Sequence, residues 1–310
     1  MRQLKAYKIK EWLALQPIVD AFKQFRNDTN LRFYCKRIPD GHSNFLAETM
    51  QRKNTDNIVI AIAYECPDTI SLLINSFNKN IKNSLLIIVD NSPTAATRQK
   101  IKKVCNLADI PYFALPSNPT RHANRSHGMS VQWSYQNIVK AIKPTIFTFV
   151  DHDLIPKKTY DFKEVIGNKP FYGVLWNSTK SDAWQLWAGF STFNYQQISK
   201  YKLNFLYDFS NGLDTGGRNY FPLYQYHKIK NLNFASNVSV HFKANMNSSI
   251  NGYIMQVIDD CWVHMGGAGH LENYELRQEE FNEQMQALDK IGNWSIHSSE
   301  HFTNIEPIRH

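Results

Sequence analysis

Ile58-Val59-Ile60-Ala61-Ile62-Ala63-Tyr64 and Leu85-Leu86-Ile87-Ile88-Val89-Asp90 are the two stretches whose reading decides the fold. Each is a nearly unbroken apolar run of strand length, the pattern of a strand covered on both faces. Between them Pro67-Asp68 opens a helix, and Ile70, Leu73, Ile74, Phe77 and Ile81 follow the helical period. Asp90-Asn91-Ser92-Pro93 is a turn, after which a basic helix keeps Ile101, Val104 and Cys105 on its inner side. Residues 112–115 read as a short third strand. Ser126 is placed to cap a helix carrying Val131, Tyr135, Ile138, Val139 and Ile142, and residues 145–150 form a fourth strand running into Asp151-His152-Asp153. This alternation predicts an α/β fold with a mainly parallel sheet flanked by helices. Ligands of such sheets sit beyond the carboxyl ends of the strands, so Tyr64-Glu65, Asp90 and Asp151-His152-Asp153 are expected at one edge.

Upstream, residues 1–56 read as a basic helical extension in which Trp12, Leu15, Val19, Phe22 and Phe25 make one apolar stripe. Two readings stay open for it: a helix packed on the main domain, or a surface that touches anionic lipid. Residues 57–270 form the main domain, whose texture loosens after Pro156 into short strands rich in Trp, Tyr and Gly, with turns at Asn211-Gly212 and Asn251-Gly252. Residues 271–310 hold an acidic amphipathic helix over 275–291, with Leu276, Phe281, Met285, Leu288 and Ile291 on one side, and a tail.

With 310 residues, 43% hydrophobic and 20% charged, the chain has material for a substantial core, which excludes disorder over most of its length. Lys and Arg number 35 against 27 Asp and Glu, a net charge of +8 that suits phosphate-bearing partners without choosing among them. The cations are dispersed and no nucleic-acid-binding motif is present, so nucleic acid is not the expected partner. Cys35, Cys66, Cys105 and Cys261 lie far apart and make no C-x-x-C pair. That argues against a zinc ribbon or a disulfide framework, and for a reducing, cytoplasmic compartment. No apolar run approaches the roughly 18 residues of a membrane span. Glu11, Pro17 and Asp20 interrupt what would be a signal-peptide core. The lipid reading of the N-terminal stripe adds peripheral contact at the inner membrane face.

The most informative tripeptide is Asp151-His152-Asp153. Two carboxylates two residues apart at a strand end can both reach one hard divalent cation, directly or through water. Mg²⁺ and Mn²⁺ prefer oxygen ligands and share their shell with substrate phosphates. The series Ile58 to Tyr64, Leu86-Ile87-Ile88-Val89-Asp90-Asn91-Ser92, Asn118, Ser126-His127-Gly128 and Phe147-Thr148-Phe149-Val150-Asp151-His152-Asp153 resembles the nucleotide-sugar glycosyltransferases of the GT-A fold, especially the family 2-like group. The resemblance covers roughly residues 57–270.

What the resemblance implies is a Rossmann-like GT-A sheet, a nucleoside diphosphate sugar donor, and Mn²⁺ or Mg²⁺ on its diphosphate. Tyr64, Glu65 and Asp90 would hold the nucleoside, and Asp151 and Asp153 the metal, with Asn118 and His127 counted among the donor-binding residues. Trp187-Ala188-Gly189 resembles the Gly-containing strand that flanks acceptor and donor sugar, which adds Trp187 and Gly189 to the substrate-binding set. Leu213-Asp214-Thr215-Gly216-Gly217 sits where the family carries its general base; Asp214 is the candidate, with Asp208 and Asp182 as rivals and a turn-forming role as the other reading. His264 would be a further metal ligand, with His270 second and Asp259 and Asp260 orienting it, a satisfied buried histidine before a tight glycine turn being the other reading. Arg121 or Arg125 would contact the diphosphate, ordinary solvation being the other reading. The chain departs from the family where Asp90-Asn91-Ser92-Pro93 replaces Asp-Asp-Gly-Ser and where Glu65-Cys66-Pro67 follows the first strand.

The expected function is therefore metal-dependent, inverting transfer of a sugar to a glycan or lipid-linked glycan. A sugar nucleotidyltransferase is an alternative on the same sheet, although the Gly-rich basic loop it would need after the first strand is absent. A basic nucleic-acid-binding protein is the alternative from another class.

Overall fold

The computed structural model of the chain describes residues 2–120, 122–242, 253–266, 274–292, 294–297 and 302–307. Its strands are β1 (Asn57–Ala63), β2 (Leu85–Asp90), β3 (Tyr112–Ala114), β4 (Ile146–Asp151), β5 (Leu154–Pro156), β6 (Phe171–Asn177), β7 (Trp184–Asn194), β8 (Asn237–Phe242), β9 (Tyr253–Ile258), β10 (Trp262–His264) and β11 (Phe302–Pro307). One sheet has the order β3-β2-β1-β4-β7-β6. Its first four strands are parallel, and β7 and β6 extend it antiparallel on the β4 side. The mainly parallel α/β sheet flanked by helices is thus the one expected.

Every residue of β1 is buried. Val59, Ala61 and Ala63 alternate with Ile58, Ile60 and Ile62 between two separate cores, one on each face of the sheet. Each large aliphatic side chain so buried contributes about 1.5–3 kcal/mol. The Pro67–Asn80 helix supplies Ile70, Leu73, Ile74 and Phe77 to the first core, and the Ala95–Leu107 helix adds Ile101 and Cys105. Met129, Val131 and Trp133 of the Ala123–Ser134 helix fill the second. That helix starts earlier than expected. Its cap is His122, whose ring accepts the Arg125 N–H, and Ser126 lies inside the first turn with its hydroxyl accepting from Asn91 Nδ2 at 2.9 Å. The cysteines are free thiols, and burial pushes those of Cys35, Cys105 and Cys261 up to about 12.

The second sheet, β11-β8-β9-β10-β5, is antiparallel throughout and shares the first core through Val240, Val257, Trp262 and Val263. The expected C-terminal helix spans Tyr274–Ile291 and buries Phe281, Met285 and Leu288. Beyond it β11 pairs with β8, a strand where only a tail was expected.

The N-terminal stripe does not pack on the main domain. The Gln16–Lys36 helix buries Pro17, Asp20, Asn27, Leu31 and Tyr34, while Leu15, Phe22 and Phe25 are 58%, 67% and 71% exposed. Leu31 and Tyr34 join the second core, and polar contacts add to that hold. Asp28 pairs with buried Arg218, Asp20 accepts from the Tyr7 hydroxyl at 3.0 Å, and the Arg2 amide donates to Ser210 Oγ at 3.1 Å. No described helix is long and apolar enough to cross a membrane.

Candidate metal and substrate site

β4 ends at Asp151, and β5 begins at Leu154 in the other sheet. Leu154 pairs with His264, the last residue of β10. This two-residue step between sheets brings Asp151, Asp153 and His264 together, with one potential ligand atom of each within 4.8 Å of the others. His264 Nε2 lies 3.3 Å from Asp153 Oδ1, and His127 Nε2 lies 3.6 Å from Asp151 Oδ1. Four residues expected at the site from distant parts of the sequence therefore meet at one sheet edge.

A hydrogen-bond chain sets the His264 tautomer. Gln256 Nε2 donates to Asn237 Oδ1 at 2.9 Å, which leaves Gln256 Oε1 to accept from His264 Nδ1–H at 2.5 Å. The Nε2 lone pair of a neutral His264 then faces the two aspartates. Burial pulls the His264 imidazole down, but the Asp153 charge and hydrogen bond, with help from Asp151, raise it overall above the usual histidine range. Burial raises the Asp151 carboxyl; His127 opposes that and the Asp153 charge adds to it. Two carboxylates and an imidazole facing one another with so little cationic compensation form a donor set that suits Mn²⁺ or Mg²⁺. His152 turns away, its Nδ1–H directed at the Ile62 carbonyl 3.1 Å off.

Gly189 makes room for this cluster. A Cβ there would lie 2.5 Å from Asp151 Oδ2 and 2.3 Å from Trp187 Cζ2. The Trp187 ring in turn meets the His264 ring edge to face, centroids 4.9 Å apart. Gly189→Ala is expected to displace the Asp151 carboxylate and weaken Mn²⁺ binding at least about 10-fold, a loss of the size seen when a metal ligand's support is removed. Calorimetric titration with Mn²⁺ checks this, and wild-type affinity would show that the cluster does not need the gap.

The expected nucleoside residues stand at the carboxyl ends of β1 and β2. Asp90 is fully buried, with Oδ1 accepting from the Ser92 amide and Oδ2 from the Tyr112 hydroxyl, each at 2.8 Å. Glu65, at φ +55°, accepts from the hydroxyls of Thr94 and Thr97, at 3.0 and 2.9 Å, and so ties the end of β1 to the Ala95–Leu107 helix. Asn118 donates to Asn91 Oδ1 and to the Ser126 carbonyl, pinning the loop ahead of His127. Tyr64 is half-buried at the β1 end. Arg125 reaches the Tyr207 hydroxyl at 3.2 Å and keeps a buried Nε with no partner. Arg121 and His270 lie outside the described residues.

Asp214 stands on a turn closed by Gly217 N–H donating to its carbonyl at 2.8 Å. An added Cβ on Gly217 would meet Gln185 Oε1 at 2.7 Å, and Thr215 Oγ1 donates to the Asn124 carbonyl at 3.2 Å. The turn thus lies against the part of β7 that overhangs the end of β4, and against the helix that carries His127. Asp214 Oδ1 is buried and has no hydrogen-bond partner. By contrast, Asp208 holds its own loop through Ser210 Oγ at 2.7 Å and Asn211 Nδ2 at 2.6 Å, and Asp182 is exposed.

Asp259 and Asp260 do not orient His264. They occupy the hairpin turn at the far end of β10, Asp259 accepting from the Tyr160 and Tyr172 hydroxyls and Asp260 from Lys158 Nζ. The orienting residue is Gln256, directly opposite His264 in the β9–β10 register. Its signal was the symmetric spacing of Gln256 and His264 about Asp260, which a hairpin reading would have exposed.

No family model matches the chain, and no curated relative does. Among solved structures it is similar to S. aureus TarS, at 21% identity over 33% of this chain and 17% of that one, with a TM-score of 0.25. It is similar to glucosyl-3-phosphoglycerate synthase from Mycobacterium tuberculosis in complex with Mn²⁺ and UDP-glucose, at 16% identity over 44% and 48%, TM-score 0.29. It is similar also to the mannosyltransferase PcManGT from Pyrobaculum calidifontis in complex with GDP-Man and Mn²⁺, at 8% identity over 59% and 57%, TM-score 0.32. The chain spans less than two thirds of the length of each, and superpositions this partial assign it neither a donor nor an acceptor.

Proposed function

We propose that the chain is a metal-dependent glycosyltransferase that moves a sugar from a nucleoside diphosphate donor to a hydroxyl of a glycan or lipid-linked glycan, with inversion. The observation that carries the reading is the Asp151–Asp153–His264 cluster at the carboxyl edge of a mainly parallel sheet. These three residues would hold Mn²⁺ or Mg²⁺, which when bound offsets the charge of the leaving diphosphate. His127 stands beside Asp151 and can donate to a diphosphate oxygen. Trp187 and Gly189 border the donor sugar, Gly189 leaving to Asp151 and the Trp187 ring the space that a side chain would take.

Asp214 supplies the base. Its carboxylate, one oxygen of which has no hydrogen-bond partner, accepts the acceptor hydroxyl proton as the new bond to the anomeric carbon forms and the bond to the diphosphate oxygen breaks. Tyr64 and the β1–β2 edge border the nucleoside, while Asp90 and Glu65 shape that border from within through the bonds described. The family resemblance of the sequence supports the donor class, and the free cysteines are consistent with a cytoplasmic setting.

The test is calorimetry with UDP and GDP, with and without Mn²⁺, across pH. A nucleoside diphosphate should bind at least about 10-fold tighter with Mn²⁺. Because Asp153 raises His264, a proton competes with the cation for Nε2. The Mn²⁺ enhancement should therefore shrink as pH falls through the raised imidazole value and be full above it. Duplex DNA bound tightly and selectively at physiological salt, with no nucleotide binding, would favour the nucleic-acid reading instead.

A further inference from the structure

The Gln16–Lys36 helix wears its apolar side outward. On a helix of 3.6 residues per turn, Ile18, Val19, Phe25 and Phe33 fall within about 60° of Phe22, and Leu15, which caps the helix, is exposed as well. Their exposure ranges from 39% for Val19 to 71% for Phe25. Ahead of it, Ile9 and Leu13 are 80% and 81% exposed. Scattered exposed apolar residues need no explanation, but Ile18, Val19, Phe22 and Phe25 gathered on one face of the first half of the helix do.

The charges of the same segment are sorted. Lys8, Lys10, Lys23, Arg26, Arg32 and Lys36 are exposed, with Lys23 and Arg32 flanking the stripe at roughly 100° and 80° to either side of Phe22. Each acid is instead partnered: Glu11 with Arg2, Asp20 with Tyr7 and Gln16, Asp28 with Arg218. The outer surface therefore combines apolar side chains with cations alone, Arg26 and Lys36 lying within the stripe at roughly 40° to either side of Phe22 and Lys23 and Arg32 along its edges. A second copy docked through the same face would oppose like charges across a two-fold axis.

We propose that this face docks on a bilayer surface containing anionic lipid, the aromatic and aliphatic side chains entering the headgroup boundary and the cations pairing with lipid phosphates. The N-terminal helices alone carry this proposal, which does not rest on the glycosyltransferase reading.

The experiment is flotation of the full chain with phosphatidylcholine vesicles that contain phosphatidylglycerol, against vesicles of phosphatidylcholine alone. Partition should be at least about 10-fold stronger on the anionic vesicles and should weaken with added salt. Phe22→Ser combined with Phe25→Ser should lower it about 10-fold or more. Lys8→Gln combined with Lys10→Gln and Lys23→Gln should lower it and flatten the salt dependence. All these side chains are exposed, and unchanged circular dichroism and thermal unfolding confirm that the variants fold. Equal partition on the two vesicle types, or wild-type partition of the Phe variant, would overturn the proposal. A wild-type dimer in sedimentation that the Phe variant disperses, without vesicle binding by either, would assign the face to self-association and also overturn it.

Discussion

Asp153→Ala is expected to lower donor turnover by about 10³-fold, and a chelator should do the same to the wild-type chain. A bound cation supplies several kcal/mol of charge stabilisation to a departing diphosphate, and each 1.36 kcal/mol is about a factor of ten in rate. Asp153 is only 4% exposed and faces His264 at 3.3 Å, so its removal takes away a proposed ligand and the charge that raises the imidazole. Asp153→Asn, which keeps the shape, separates loss of the ligand from loss of packing; both variants should keep the wild-type circular dichroism spectrum. The measurement is release of nucleoside diphosphate from a panel of nucleotide sugars. Full turnover in EDTA would remove the cation from the reading and leave the sheet and the donor assignment standing.

Asp214→Asn is expected to lower kcat by about 10²-fold or more while leaving nucleotide affinity nearly unchanged. Position is the reason. The carboxylate belongs to a turn set against β7 and the Asn124 carbonyl, away from Asp151 and Asp153 in sequence and on a different element. Asparagine preserves the turn, since Gly217 bonds to the backbone carbonyl and not to the side chain. Only the basicity of the carboxylate is lost. NMR of the product should show the anomeric configuration inverted relative to the donor. Retention would exclude this mechanism, and a normal kcat would remove Asp214 from it.

The first half of the fold was legible because both periods are clean there. β1 and β2 are buried on both faces, so their apolar runs could hardly be anything but central strands, and the Pro67–Asn80 helix keeps its stripe toward the core. The same logic failed at the N-terminus. Amphipathic periodicity names a face but not the partner it meets, and here the packed face is Pro17, Asp20, Asn27, Leu31 and Tyr34. The second sheet was hidden for another reason: β5 and β10 are three residues each and pair over a separation of about a hundred, so neither leaves a local pattern. In the site, Asp151 and Asp153 were visible from position alone, and His264 from the family resemblance. Gln256 was invisible without the register, and the internal bonds of Asp90 and Glu65 depend on Tyr112, Ser92, Thr94 and Thr97, which no short motif links to them.

The step from β4 to β5 gives the acidic pair a mechanical role as well. Asp151 is fixed in the lattice of one sheet and Leu154 in that of the other, and the span between them is short, with His152 directed at the β1 carbonyl of Ile62. Any tilt of one sheet against the other is therefore delivered, with almost no slack, as a change in the gap between two carboxylates. The pair behaves like the jaws of a caliper whose arms are the sheets. Alignment tolerances for the site are then set far from it, in the shared core where Trp262 meets Tyr160, Phe162 and Phe190, and a side chain there that never approaches a substrate still governs how true the jaws run.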